Sequence, residues 1–179
     1  MSDPTYGGKL TYVNNKWRLE VLVDFDETDL PPYIAVLDKI RYRLYEAPAH
    51  SMTELESPDG LMILVPTAET FSEDTYVVFV EGYQGWQNAS TASVQYFIQA
   101  GLKSARQTAD TLGEFSLRWL SADPNVQLDA TSMTLCHKSG SLPDLERPVE
   151  AVPDENVVEV KGLFGMGYYA LIQAPKRSV

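Results

Sequence analysis

The sequence predicts an all-β protein made of two tandem β-sandwich domains. Three observations carry that prediction. Trp17, Leu19, Val21, Val23 and Phe25 alternate with Arg18, Glu20 and Asp24, a period of two that only a half-buried strand uses. Short apolar runs recur every ten residues or so, divided by proline, glycine and asparagine, which is the spacing of a sandwich. The composition, 44% hydrophobic and 11% aromatic with 10 tyrosines, suits strands and a packed core. A chain of 179 residues buries about 70% of its unfolded surface, enough for one large domain or two small ones.

The elements follow in order. Leu10 and Tyr12 alternate with polar neighbours, and Asn14-Asn15 supplies the positive φ angles of a tight hairpin into the Trp17 strand. Pro31-Pro32 breaks the chain, and Ile40, Tyr42 and Leu44 then alternate with Lys39, Arg41, Arg43 and Tyr45. Pro58-Asp59-Gly60 turns into Leu61–Val65, a wholly apolar run closed by Pro66 and expected to be a buried strand. Tyr76–Val80 and Val94–Ile98 add two strands around the polar loop Gly82–Ser93. The first core is expected to hold Trp17, Val21, Val23, Ile40, Tyr42, Val78 and Val80.

Gln99–Gly113 differs: Leu102, Ala105, Ala109 and Leu112 have a weak helical spacing with Gly113 placed as a C-terminal cap, or the segment is an extended linker. Strands resume with Phe115, Leu117 and Trp119, a turn at Asp123-Pro124-Asn125, then Met133–Leu135, Val157–Val160 and Tyr168–Ile172. Pro143, Pro148 and Pro153 punctuate the interval. This reading places one domain over residues 1–100 and a smaller one over 101–179. A single eight-stranded barrel is the alternative that the length also accommodates.

The residues resemble fibronectin type III modules of the immunoglobulin-like group. Tyr42-Arg43-Leu44-Tyr45 is similar to the third strand of such a module, and Tyr76-Val77-Val78-Phe79-Val80 to its sixth, with Tyr76 as the corner tyrosine. Leu117-Arg118-Trp119 is similar to a second strand with its core tryptophan. Val160-Lys161-Gly162-Leu163 and Gly167–Ile172 resemble the approach to a sixth strand. The pattern departs from the family in two places. Phe25 stands where a tryptophan would sit, and the second half stops about seven residues after Ile172, short of a seventh strand. Tyr168–Gln173 is therefore expected to present an unpaired edge that another chain would complete.

Chemistry is sparse. The net charge of −11, from 25 acidic and 14 basic residues, disfavours nucleic acid, and the alternating Lys39, Arg41 and Arg43 read as a solvated strand face. Cys136 is the only cysteine, so it forms no intramolecular disulfide. Adjacent on a strand, Cys136 and His137 point to opposite faces and cannot act as nucleophile and base; Cys136 is expected on the polar face. His50 reads as a surface histidine, and no third ligand accompanies the two histidines for a metal. Asp24-Phe25-Asp26-Glu27-Thr28-Asp29 is an acidic loop that lacks the glycine and glutamate of a calcium hand. No phosphate-binding or nucleophile-elbow motif occurs, so the sequence implies no enzyme, no catalytic residue, no cofactor and no metal. Met-Ser-Asp-Pro lacks the features of a signal peptide, and no apolar run is long enough to span a bilayer.

The expected contacts with a partner or ligand are Tyr83, Trp86, Tyr169 and Leu171. Tyr45 also reads as an exposed aromatic. The resemblance, in a cysteine-poor chain, implies a structural component of a tailed-phage virion. Such a protein is made in the host cytoplasm and works in an oligomeric assembly with other subunits. The alternatives are a carbohydrate-binding module that stacks a glycan on Trp86, and a cytoplasmic location.

Overall fold

The computed structural model describes residues 9–13, 16–20, 33–37, 40–81, 96–138 and 145–173. The fold is all-β, with antiparallel strands in every pairing. The strands are β1 (Lys9–Val13), β2 (Lys16–Glu20), β3 (Tyr33–Leu37), β4 (Ile40–Ala47), β5 (Leu55–Glu56), β6 (Met62–Pro66), β7 (Thr75–Glu81) and β8 (Tyr96–Leu102). They continue as β9 (Gln107–Ala109), β10 (Thr111–Leu120), β11 (Met133–Lys138), β12 (Leu145–Pro148), β13 (Glu150–Ala151), β14 (Val157–Gly165) and β15 (Gly167–Gln173). A 3-10 turn at Ala130–Ser132 is capped by Asp129, whose carboxylate accepts from Thr131 N–H at 3.1 Å.

One sheet has eight strands in the order β12-β11-β15-β8-β7-β4-β3, with β9 paired to β8. A second has five, β13-β14-β10-β6-β5, and β1-β2 forms a separate hairpin whose Val13↔Lys16 pair brackets Asn14-Asn15. Neither large sheet closes on itself, so the molecule is sandwich-like and not a barrel. The boundary expected near residue 101 falls inside β8. Pairing crosses it in both sheets, β6 with β10 and β8 with β15. The core is shared too: Leu64, Val77, Phe79 and Ile98 pack in one cluster with Phe115, Leu117, Trp119, Val160 and Leu171. The strands on either side of residue 101 thus share pairings in both sheets and one core cluster.

Period two fixes which residues face inward. β6 alternates buried and half-buried residues, as expected of the apolar run after Pro58-Asp59-Gly60. That turn is built on the Asp59 carboxylate, which accepts from Leu61 N–H at 3.0 Å, Ser57 Oγ at 2.5 Å and Tyr96 Oη at 2.6 Å. β7 is buried on both faces: Val77 and Phe79 join the core, while Val78, Val80 and Tyr76 are covered on the other side. Val78 and Val80 are thus buried as expected, but on the outer face. The side chains of Trp17, Ile40 and Tyr42, and residues Val21 and Val23, lie outside the described residues.

The helical spacing over Gln99–Gly113 forms no helix. The segment is the end of β8, a turn with Arg106 at φ 55, β9 and the start of β10. Gly113 serves a close backbone approach instead. A Cβ on Gly113 would sit 1.9 Å from the Glu69 carbonyl oxygen, and Gly113 N–H donates to Thr70 O. β15 has partners on both edges: β11 along Met133–Lys138, and β8 through Gly167↔Ile98, Tyr168↔Phe97 and Tyr169↔Tyr96. The edge expected to be open at Tyr168–Gln173 is therefore closed within the chain over Gly167–Tyr169. The closing segment lies just before the one that looked helical.

Candidate functional site

Stacked sheets leave two lateral seams, and polar side chains gather at both. One lies between β4 and β5. The Tyr45 hydroxyl donates to Glu56 O at 2.8 Å and accepts from Glu56 N–H at 3.1 Å, so one side chain serves both backbone groups of Glu56. Arg43 lies 4.8 Å above the Tyr45 ring and 3.7 Å from the Glu56 carboxylate. Burial raises the Tyr45 hydroxyl above its ordinary value, and the Arg43 charge partly offsets that. Tyr45 is half-buried and bonded here, not the free surface aromatic expected. Arg43 faces the seam and not a solvated strand face.

The second seam lies between β12 and β14. β14 carries a bulge: Phe115 pairs with Leu163 but Leu117 with Val160, leaving Lys161 and Gly162 out of step. Gly162 takes φ 74, which a residue with a Cβ adopts only under strain. Arg147, on the end strand of the opposite sheet, collects the displaced carbonyls. Its Nη1 donates to Gly162 O at 3.1 Å and its Nη2 to Lys161 O at 2.8 Å.

Deeper in the same seam, Met166 alone joins β14 to β15 and so carries the chain from one sheet to the other. Three hydrogen bonds hold this corner. Met166 N–H donates to Asp110 O at 2.9 Å. The Tyr169 hydroxyl donates to Gly165 O at 2.6 Å, a bond from tyrosine to upstream backbone of the kind that makes a tyrosine corner. His137 Nε2 donates to Met166 O at 2.8 Å, since a carbonyl only accepts. The His137 ring stacks on Tyr169 at 4.4 Å between centroids and 26° between planes. His137 is 4% exposed and Tyr169 0%. Burial pushes the Tyr169 hydroxyl far above its usual range, with Arg147 opposing.

Other polar groups form ties on the sheet surfaces. Glu159, buried among β14 and its neighbours, pairs with Arg118 Nε at 2.6 Å and Lys161 Nζ at 3.6 Å; the hydrogen bond to Glu159 raises Arg118. Lys103 bonds Glu46 and lies 5.1 Å from the Tyr76 ring, and the Glu46 bond raises its amine.

Of the contact residues read from sequence, Tyr169 and Leu171 are buried in the core. β15 is interior to its sheet, with β11 along one edge and β8 along the other. Tyr83, Trp86 and the Asp24–Asp29 loop lie outside the described residues. His50 is exposed as expected, at φ 62, with Nδ1 donating to Ala68 O at 3.1 Å. Cys136 and His137 do face opposite ways: His137 meets Tyr169, whereas Cys136 aligns with Ala170 and Glu146. Cys136 shares its face with Thr134, Lys138 and Glu146, as expected, and is nevertheless only 6% exposed. Burial, then the Glu146 charge, pushes its thiol up to about 11.

The sequence reading missed Arg147, the Gly162 bulge and the inward turn of His137. Two signals were present. Gly162 interrupts a strand, and His137 keeps step with Met133 and Leu135. Among the described residues no cluster of three or more histidine, cysteine or acidic side chains is placed to hold a metal, and no helix is long and apolar enough to cross a membrane. No protein-family model matches the chain, and no curated protein matches it.

Proposed function

We propose that this chain is a non-enzymatic structural protein that acts through protein–protein contacts, as a component of a tailed-phage virion assembled from host-cytoplasmic subunits. The observation that carries the reading is the use made of its polar side chains. Tyr45, Arg147, His137 and Tyr169 are spent on fastening one sheet to the other. A building block needs that rigidity, because neighbours bind a fixed surface without a further ordering cost. The buried thiol of Cys136 fits the same reading, since a protonated thiol is a poor nucleophile. The virion assignment rests on the resemblance to fibronectin type III modules, an argument by analogy of fold.

Size-exclusion chromatography with light scattering, run across a range of concentrations, tests it. Closed oligomers or concentration-dependent assembly are expected. A strict monomer that retains glycans on an array overturns the reading in favour of a carbohydrate-binding module.

A further inference from the structure

We infer that the outer edge of β3 is a self-association surface, on which a second copy of this chain adds its own β3 antiparallel. The inference rests on the assembly reading above and supplies its contact. The strands that end the two large sheets differ in how well they are guarded against such pairing. β5 (Leu55–Glu56) and β13 (Glu150–Ala151) offer two residues each, one of them a glutamate. β12 carries Glu146 and Arg147 and finishes on Pro148, which has no N–H to give. The side strand β9 is three residues long, and β1 lies against it. β3 is Tyr33-Ile34-Ala35-Val36-Leu37, five residues with neither a charge nor a proline. Among the described residues it pairs with β4 alone.

The register with β4 decides which backbone groups that edge presents. Leu37 pairs with Ile40 across two intervening residues, the closing pair of a hairpin, which exchanges both of its hydrogen bonds. Alternation then turns the N–H and C=O groups of Leu37, Ala35 and Tyr33 toward β4. Those of Ile34 and Val36 point away from it. A second β3, run antiparallel about a two-fold axis at Ala35, sets Ile34 opposite Val36 of the other copy. By symmetry it sets Val36 opposite Ile34 of that copy, so every outward group is used. The register is pinned, because a slip toward Pro32 brings a residue without an N–H into the ladder. Such an interface is isologous and closes as a dimer. The strand at its axis adds no charge of its own to the repulsion between two chains of net charge −11.

The experiment is sedimentation velocity on the full chain over a range of concentrations, with amide exchange at the lowest and the highest. The wild type is expected to pass from monomer to dimer. The Ile34 and Val36 amides should gain protection only in the dimer, while Ala35, bonded to β4, is protected in both. Val36→Pro removes an N–H that β4 does not use and is expected to weaken dimerisation at least about tenfold. Ala35→Lys and Ala35→Glu each set like charges face to face at the axis. Either alone should dimerise poorly, and an equimolar mixture at least about tenfold more tightly. Association of Val36→Pro equal to that of the wild type overturns the β3 edge and leaves the assembly reading standing. A wild type that stays monomeric at every concentration overturns the edge, and the assembly reading falls with it if that monomer retains glycans. Ile34 and Val36 protected in the dilute monomer also overturn the edge, since it is then closed within the chain. If Val36→Pro does not fold, the mixture decides: tighter than either variant alone upholds the pairing, and no tighter overturns it.

Discussion

The two seams of the sandwich solve one problem with different materials. Between β4 and β5 the tie is a half-buried tyrosine with an arginine and a glutamate at the rim. Between β12 and β14 it is a fully buried tyrosine and histidine, with an arginine serving backbone carbonyls. The first seam leans on charge, which water and salt weaken. The second leans on hydrogen bonds to backbone carbonyls at the β14 bulge and at the corner into β15. A contact matters most where its loss strands a buried group. The β12–β14 seam should therefore be the costly one to disturb.

The largest test of that contrast is tyrosine truncation at each seam. Tyr169→Ala empties a fully buried ring site and is expected to cost about 3–5 kcal/mol in a urea titration. Tyr45→Ala, half-buried, is expected to cost about 1–2 kcal/mol. Equal losses would erase the distinction between the seams. The arginines refine it. Arg147→Met strands the carbonyls of Lys161 and Gly162 and should cost about 1–3 kcal/mol. Arg43→Met should cost no more than about 1 kcal/mol. The Arg43 Nε is buried without an acceptor among the described residues, which reduces what that side chain contributes. Salt separates the two mechanisms: 1 M sodium chloride should abolish the Arg43→Met effect and leave that of Arg147→Met in place. Loss of both in salt would mean that the second seam also depends on ion pairing.

Much of this architecture was legible in the sequence, for a physical reason. Period two is local, so the alternation of Phe115, Leu117 and Trp119, and the turn at Pro58-Asp59-Gly60, could be read directly. Which strand lies beside which is a long-range matter. Nothing within β6 announces that it pairs with β10, and so the division near residue 101 was drawn where pairing in fact continues. Short elements were missed for want of length: β3 followed a double proline, and β5, β9, β12 and β13 span two to four residues each. The expected helix failed because Leu102 and Ala109 belong to strands that pair with each other, and Gly113 serves a close backbone approach and not a helix cap. The burial of Tyr169 and Leu171 was not legible for a related reason. An apolar strand at the end of a chain looks unpaired until β8 is seen beside it.

The smallest expected effect concerns the back of β11. Cys136 shares its strand with His137 but faces the other way, so it tests whether that outer face is as dry as the seam. A thiol at about 11, against an ordinary value of 9.0, holds about 100-fold less thiolate at pH 8. A disulfide reagent should therefore leave the native protein untouched over minutes and label it at once in denaturant. Linkage gives a second readout. The folded state keeps the thiol proton that the unfolded chain releases, so this stabilisation is complete below pH 9.0 and is lost as pH rises toward 11. Tyrosines ionise only from about pH 10, and burial moves Tyr169 higher still, so a slope between pH 9 and 10 belongs to the thiol. Cys136→Ser should flatten that slope while leaving the neutral-pH midpoint within about 1–2 kcal/mol of wild type. Rapid labelling of the native protein at pH 8 would show that water reaches the outer face of β11, leaving the seam face as the only dry side of that strand.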